Sequence, residues 1–236
     1  MPETDTAAAV GLNEDGHRRM RQVAGMIVVI GLAIFLSAWR IDWWNGWIYI
    51  GLYLACLAVG GAWMIRRHPG VVNERGRKDE TTKRFDRVLA PFMLIAGLAQ
   101  YVVAGLDARF GWTDVPLALQ VLGGVGFLAS MAGIFWAMAN NPFLATTVRI
   151  RADGSHRVAT TGPYRFVRHP MYAVNVWFLW VSGFVLDSWW TLLCSVIGAA
   201  LFVVRTALED RALCDGLDGY REYAGRVRYR LVPGVW

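Results

Sequence analysis

Apolar residues run along this chain in long blocks rather than at every third or fourth position. Six blocks, 23–39, 43–65, 88–106, 115–139, 171–186 and 189–204, are separated by charged or Pro/Gly-bearing stretches. A bilayer span needs roughly 20 consecutive, mostly apolar residues. The pattern therefore predicts six membrane helices and an all-α integral membrane fold. The last two blocks are short and separated only by Asp187-Ser188, which predicts a tight helical hairpin. A soluble bundle would need a polar face on each helix, and these blocks keep too few polar positions to provide one.

Composition agrees. Of 236 residues, 56% are hydrophobic and 18% charged. The positive charge divides unevenly along the chain. Of the 24 Lys and Arg residues, 22 lie in the N-terminal tail, the 66–87 loop, the 140–170 loop and the stretch from Arg205 onward. The connections on the other side keep only Arg40 and Arg109. Lys and Arg excess marks the cytoplasmic side, which predicts that both termini and both long loops are cytoplasmic. Trp39, Trp43, Trp44, Trp47, Trp112, Trp189 and Trp190 cluster at the opposite ends of the blocks, where an interfacial aromatic belt belongs. The net charge of +6 thus reports topology and an affinity for anionic lipid, and no soluble basic domain is present to bind nucleic acid.

Cys56, Cys194 and Cys214 supply no disulfide framework, and His17, His68, His156 and His169 show no metal-ligand spacing. No metal is expected. Residues 1–22 read as a mobile tail, and 66–87 as a solvated loop or surface helix. Asn140-Asn141-Pro142 is a helix stop. The alternating residues 147–151, a turn at Asp153-Gly154 and the returning residues 157–160 predict a small hairpin. Gln100 and Gln120 read as helix–helix hydrogen-bonding residues, and Gly60-Gly61, Gly123-Gly124, Gly126 and Gly133 as sites of close helix packing.

Chemistry concentrates in TTGPYRFVRHPMY at 160–172. Gly162-Pro163 reads as a turn. Pro170 suits the first position of a helix, where its missing N–H costs nothing. On a continued helical turn Arg165, Arg168, His169 and Tyr172 share one face. With a helix N-terminus beside them, they suit a carboxylate or phosphate. A second polar group, Arg205, Glu209, Asp210, Tyr220 and Tyr223, follows the hairpin. A two-helix hairpin returns to its starting side, so the two groups can meet. Arg165 and Arg168 are also what an inner membrane boundary requires, and Arg205 and Glu209, four apart, could form a plain surface ion pair.

These residues carry a resemblance. GPYRFVRHPMY, an apolar hairpin, RTALED at 205–210 and GYREYAGRVRYRLVPG at 219–234 together resemble the isoprenylcysteine carboxyl methyltransferase family and the related phospholipid methyltransferases. The resemblance covers about residues 115–236, and NPF at 141–143 and LDARFGW at 106–112 are similar to bacterial members. It implies an integral membrane enzyme, in a bacterial inner membrane, that uses S-adenosyl-L-methionine. By the same resemblance Tyr164, Arg168, His169, Pro170 and Tyr172 line the cofactor pocket. Glu209 and Asp210 hold the cofactor's amino group, and Arg205 engages the acceptor. His169 and Glu209 are candidate proton acceptors. Two departures stand out: the second acid is Asp210 rather than Glu, and the tail motif, Leu217-Asp218-Gly219-Tyr220, is about one residue short.

The expected organisation is a tail (1–22), N-terminal membrane helices with a cytoplasmic loop (23–114) and a methyltransferase core (115–236). The expected partner is a lipophilic acceptor from the bilayer, a carboxylate such as a prenylcysteine-like or isoprenoid acid. A lipid amine and a small thiol are the alternative acceptors. Sterol reductases that bind NADPH share a similar terminal fold, but Gly162-Pro163-Tyr164 and Met171 favour methyl transfer. A transporter would carry ionisable residues at mid-bilayer, whereas here they lie at the block ends.

Overall fold

The computed structural model describes residues 11–78, 82–150 and 155–236. Among them the chain forms eight α-helices, one short 3-10 helix and no strand. They are α1 (Glu14–Ala38), α2 (Trp44–Arg67), α3 (Pro69–Gly76), α4 (Arg84–Phe110), α5 (Leu117–Ala139), α6 (Pro170–Val185), α7 (Thr191–Gly216) and α8 (Tyr220–Arg226). The 3-10 helix is Gly162–Arg165.

Helix ends follow local chemistry. The Asn13 side chain accepts the Gly16 N–H at 3.0 Å and caps α1, whose first turn carries Glu14 and Asp15 against the positive end of the helix dipole. Gly111 ends α4 at φ +62°, a left-handed geometry that glycine adopts without a Cβ penalty.

Helices α1, α2, α4, α5 and α7 are long and apolar enough to cross a bilayer. The fifth block, 171–186, behaves differently from a full span. Helix α6 has 16 residues, about 24 Å at 1.5 Å per residue, less than the hydrocarbon core of about 30 Å. Helix α7, at 26 residues, reaches about 39 Å, so its last turns run beyond such a core. The tight hairpin therefore forms with unequal arms, joined through residues 186–190.

Outward faces remain apolar, with Leu36, Val59, Leu122 and Val125 exposed. Inside, Ile34, Tyr49, Tyr101, Phe127, Met131 and Val181 form one core. The Tyr49 hydroxyl bonds the Tyr101 hydroxyl at 2.9 Å and Ser182 Oγ at 3.3 Å, which satisfies a phenol that apolar packing would otherwise strand. Gln100 donates to the Leu179 carbonyl at 2.6 Å. Gln120 joins Asn45, Val115 and Asp187. Both glutamines thus bond between elements.

Helices α5 and α6 approach closely because α5 offers a glycine stripe. A Cβ at Gly123 would meet Phe184 at 2.7 Å, at Gly126 Val181 at 2.7 Å, and at Gly133 Val174 at 3.1 Å. Gly60 admits Phe135, while Gly61 and Gly124 face open space and take no part in close packing.

Four sequence expectations change. Residues 14–22 are helical, with Gly16 buried, because α3 packs on the first turns of α1; residues 1–10 of the expected tail lie outside the described residues. In the 66–87 segment, expected as a solvated loop or surface helix, α3 forms and is not fully solvated, since it buries Val71, Val72 and Glu74. No hairpin forms at 147–160 among the described residues. The Val148 N–H bonds the Asp86 carboxylate and its carbonyl accepts from Lys83 N–H, so these backbone groups are already taken. Arg151 and the Asp153-Gly154 turn lie outside the described residues. Finally, Trp43 is buried in the core, while the other six belt tryptophans are exposed.

Substituting Gly126→Leu is expected to destabilise the fold by about 1–3 kcal/mol through overpacking against Val181. The reading is a lower thermal midpoint in detergent. Gly124→Leu, which meets open space, should leave that midpoint unchanged.

Candidate active site

The unequal hairpin decides which residues meet. Tyr172 near the start of α6 meets Glu209 near the end of the longer α7. The Tyr172 hydroxyl donates to Glu209 Oε2 at 2.5 Å. One residue further out on α7, Asp210 meets His169 Nε2 at 3.3 Å. The two polar groups of the sequence thus close on one another around a cavity of about 300 Å³. Tyr164, Arg168, His169, Tyr172, Arg205 and Glu209 line it, as do Tyr220 and Tyr223.

Pro163 and Gly162 set the entry. Gly162 sits at φ +56° with the Asn140 side chain 2.4 Å from where a Cβ would be, so both the turn and the space exclude a side chain. The 3-10 helix then ends, and 166–169 is irregular until Pro170 opens α6. The expected continuous helical face is therefore absent. Arg165 is exposed, over the Phe166 ring at 5.6 Å, and does not line the cavity. Pro170 is buried as the first residue of α6 and does not line it either.

The paired acids separate in role. Asp210 is 2% exposed and absent from the lining. Its carboxylate takes Arg168 Nε at 3.1 Å, the Tyr220 hydroxyl at 2.9 Å, His169 Nε2, and Arg230 Nε at 2.9 Å. Glu209 is the acid that faces the cavity. Asp210 instead ties three segments together. The C-terminal stretch completes this tie by its backbone: Arg168 N–H donates to the Tyr229 carbonyl at 2.9 Å, and His169 N–H to that of Arg230 at 3.0 Å.

Arg205 does not pair with Glu209. Its Nη2 donates to Asp86 Oδ2 at 3.1 Å and its Nε lies 2.9 Å from Asp86 Oδ1, an ion pair whose acid is fully buried. Nη2 also donates to the Thr146 carbonyl at 3.0 Å, and the guanidinium lies 5.2 Å from the Tyr172 ring centre. Asp86 was not legible as a site residue. It is one acid in a charged loop, and only the fold carries α4 to α7.

The tail tyrosines sit firmly despite the shortened motif. Gly219 at φ +78° opens α8, the Tyr223 hydroxyl donates to the Tyr164 carbonyl at 2.7 Å, and both tyrosines are buried. Burial raises the Tyr164 and Tyr223 phenols, and burial with the Asp210 charge raises Tyr220, so all three stay neutral. Arg75 of α3, also missed from sequence, reaches the lining beside Met171. Burial, with the charge of Arg19, lowers its guanidinium to about 9. Among the described residues no group of three His, Cys, Asp or Glu is arranged to hold a metal ion.

Residues 122–215 match the family model described as Isoprenylcysteine carboxyl methyltransferase (ICMT) family. The match supports membership of that family, as the sequence resemblance implied, and it spans α6, α7 and most of α5. The cobalt-zinc-cadmium resistance protein CzcN of Cupriavidus metallidurans is 28% identical over 133 residues, covering 54% of this chain and 56% of that protein. The chain thus spans about half the length of this curated relative.

Replacing Asp210 by Asn removes the shared negative charge from Arg168 and Arg230. The expected cost is about 3–5 kcal/mol, as for other broken buried pairs. It should appear as a lower thermal midpoint and as tryptic cleavage at Arg226 and Arg228. Tyr220→Phe, which removes one neutral donor, should cost about 1 kcal/mol. Equal effects of the two substitutions would show that the charge is not what holds the tail.

Proposed function

We propose, from the family membership supported by residues 122–215, that this multi-pass membrane protein methylates a lipophilic carboxylate from S-adenosyl-L-methionine. The family implies a membrane methyltransferase. The donor, the acceptor and the residue roles are this reading's own. The observation that carries it is the meeting of Tyr172 and Glu209 over one cavity that Arg168 and His169 also line.

The residues present suit the donor. Glu209 offers a carboxylate to an ammonium, and the rings of Tyr164, Tyr172 and Tyr223 offer faces to a sulfonium. Glu209, Tyr164, Arg168 and Tyr172 would hold the cofactor. When bound, it supplies a methyl group already activated on sulfur, so the protein's task is to orient the partners and exclude water.

A carboxylate acceptor is ionised at neutral pH and needs no proton removed. This favours it over a lipid amine, which needs a base. His169 Nε2 already faces Asp210 and Tyr220, so His169 acts mainly by position. Arg205, held by Asp86, presents a fixed positive charge at the cavity wall. Asp210 and Pro170 shape the site from behind it. The resistance phenotype in the relative's name belongs to that protein.

The charge asymmetry supports an orientation with both termini and the cavity on the cytoplasmic side of a bacterial inner membrane. In a cysteine-free background, a cysteine introduced at Asp114 should react with an impermeant maleimide in intact cells. One introduced at Lys78 should react only after permeabilisation. The reverse pattern would overturn this orientation.

The activity is tested by titrating detergent-purified protein with S-adenosyl-L-methionine by calorimetry. Wild type should bind, and NADPH should not. Glu209→Gln should weaken binding about tenfold or more, the loss of one charge-assisted contact. Membranes incubated with methyl-labelled cofactor should yield a lipid-soluble product whose label is released by mild base, as a methyl ester requires. Base-stable label on lipid amines would overturn the carboxylate reading.

A further inference from the structure

Arg205 lines the cavity, yet its hydrogen-bonding edge is already occupied. Nη2 donates to Asp86 Oδ2 at 3.1 Å and to the Thr146 carbonyl at 3.0 Å, which uses both of its hydrogens. Nε lies 2.9 Å from Asp86 Oδ1, and Nη1 lies 4.0 Å from the Met93 thioether. A planar guanidinium grips a carboxylate with two parallel N–H groups, and each such fork includes Nη2. Asp86 and Thr146 therefore hold the edge that a carboxylate guest would need. Asp86 itself is fully buried and does not line the cavity.

What Arg205 does meet inside the site is a ring. Its guanidinium carbon lies 5.2 Å from the centre of Tyr172, within cation–π range. The same ring stacks on His169, with centroids 5.7 Å apart and planes 4° from parallel, and tilts against Phe202 at 5.5 Å. Beyond the ring, the Tyr172 hydroxyl donates to Glu209 Oε2. A phenol can aim at one carboxylate oxygen only while its ring is fixed. Asp86, Arg205, Tyr172 and Glu209 thus form one continuous chain of contacts from α4 through α7 and α6 to the cavity. Asp86 lies outside residues 122–215, so the family match does not reach it.

We propose that Asp86 is a positioning residue for the donor half of the site. It fixes Arg205 against the Tyr172 ring, and the ring so held aims the Tyr172 hydroxyl at Glu209, the acid that meets the cofactor's ammonium. Arg205 then serves the methyl donor rather than the acceptor that the sequence resemblance implies for it. Naming the donor rests on the methyltransferase reading. The coupling of Asp86 to Tyr172 and Glu209 stands on the contacts themselves.

The test titrates full-length protein in detergent with S-adenosyl-L-methionine by calorimetry, with no acceptor added, and records each thermal midpoint. Asp86→Asn and Arg205→Lys should each weaken binding about tenfold, the equivalent of one misplaced charge-assisted contact. Asp86→Glu keeps the charge and should recover part of the affinity. The double variant Asp86→Asn with Arg205→Met leaves no buried ion alone, so its midpoint should return toward that of wild type. Its binding should stay weak, which a purely structural pair does not require. Recovery of both midpoint and affinity in the double variant would overturn the proposal. Unchanged affinity in Arg205→Lys would overturn it too, and return Arg205 to the acceptor. A second readout needs no cofactor. Asp86→Asn should already loosen the Tyr172 hydroxyl from Glu209, so Tyr172→Phe should lower the midpoint less in that background than in wild type. Additive shifts would overturn the proposal. Non-additive shifts in a protein that binds no S-adenosyl-L-methionine would support the positioning chain and overturn the methyltransferase reading instead.

Discussion

A single buried carboxylate holds the cavity-bearing end of this molecule together. Asp210 pairs with the charge of Arg168 and meets His169 before α6, accepts from Tyr220 at the start of α8, and accepts from Arg230 beyond it. The partners come from three stretches of chain. A lone carboxylate buried to 2% exposure would be strongly unfavourable. Here both its oxygens have partners and opposing charge surrounds it, so the burial that would expel it now locks its partners. The cavity exists because these segments cannot drift apart.

A second buried pair extends the same logic across the chain. Asp86 on α4 is fully buried and meets Arg205 on α7 in two contacts, and it also takes the Val148 N–H. This carboxylate lies outside the stretch that matches the family model. The N-terminal helices are therefore more than an anchor. They supply the counter-charge that fixes one wall of the cavity, and α3 supplies Arg75 to another. The expected boundary at residue 114 divides the sequence, but the site draws on both sides of it.

Packing between α5 and α6 sets the remaining geometry. In lipid, apolar burial between helices adds little, because the surrounding tails are equally apolar. Close approach matters more, and Gly123, Gly126 and Gly133 permit it. That approach fixes where the short α6 begins relative to the long α7. The offset, in turn, sets Tyr172 opposite Glu209.

Long apolar runs made the helices legible from the sequence, since a chain with no water to bond must satisfy its backbone internally. The turn chemistry of Gly162-Pro163 and Pro170 was equally legible, because it is local. The hairpin predicted that 168–172 would meet 205–210, and they do. What periodicity could not reveal was which acid faces the cavity. Glu209 and Asp210 are adjacent, and a helix turns about 100° between them, so their fates depend on what packs on each side. Arg165 looked equivalent to Arg168, yet a helix break at 166–169 sent it outward. Asp86, Arg75 and the burial of Trp43 were invisible for the same reason. Sequence alone determined the membrane class, the helical segments and the stretch that carries the chemistry, because those follow from neighbours along the chain. Only the tertiary structure decided which charges pair, which face inward and which stay unpaired, because those contacts join residues remote along the chain, as Asp86 and Arg205 are.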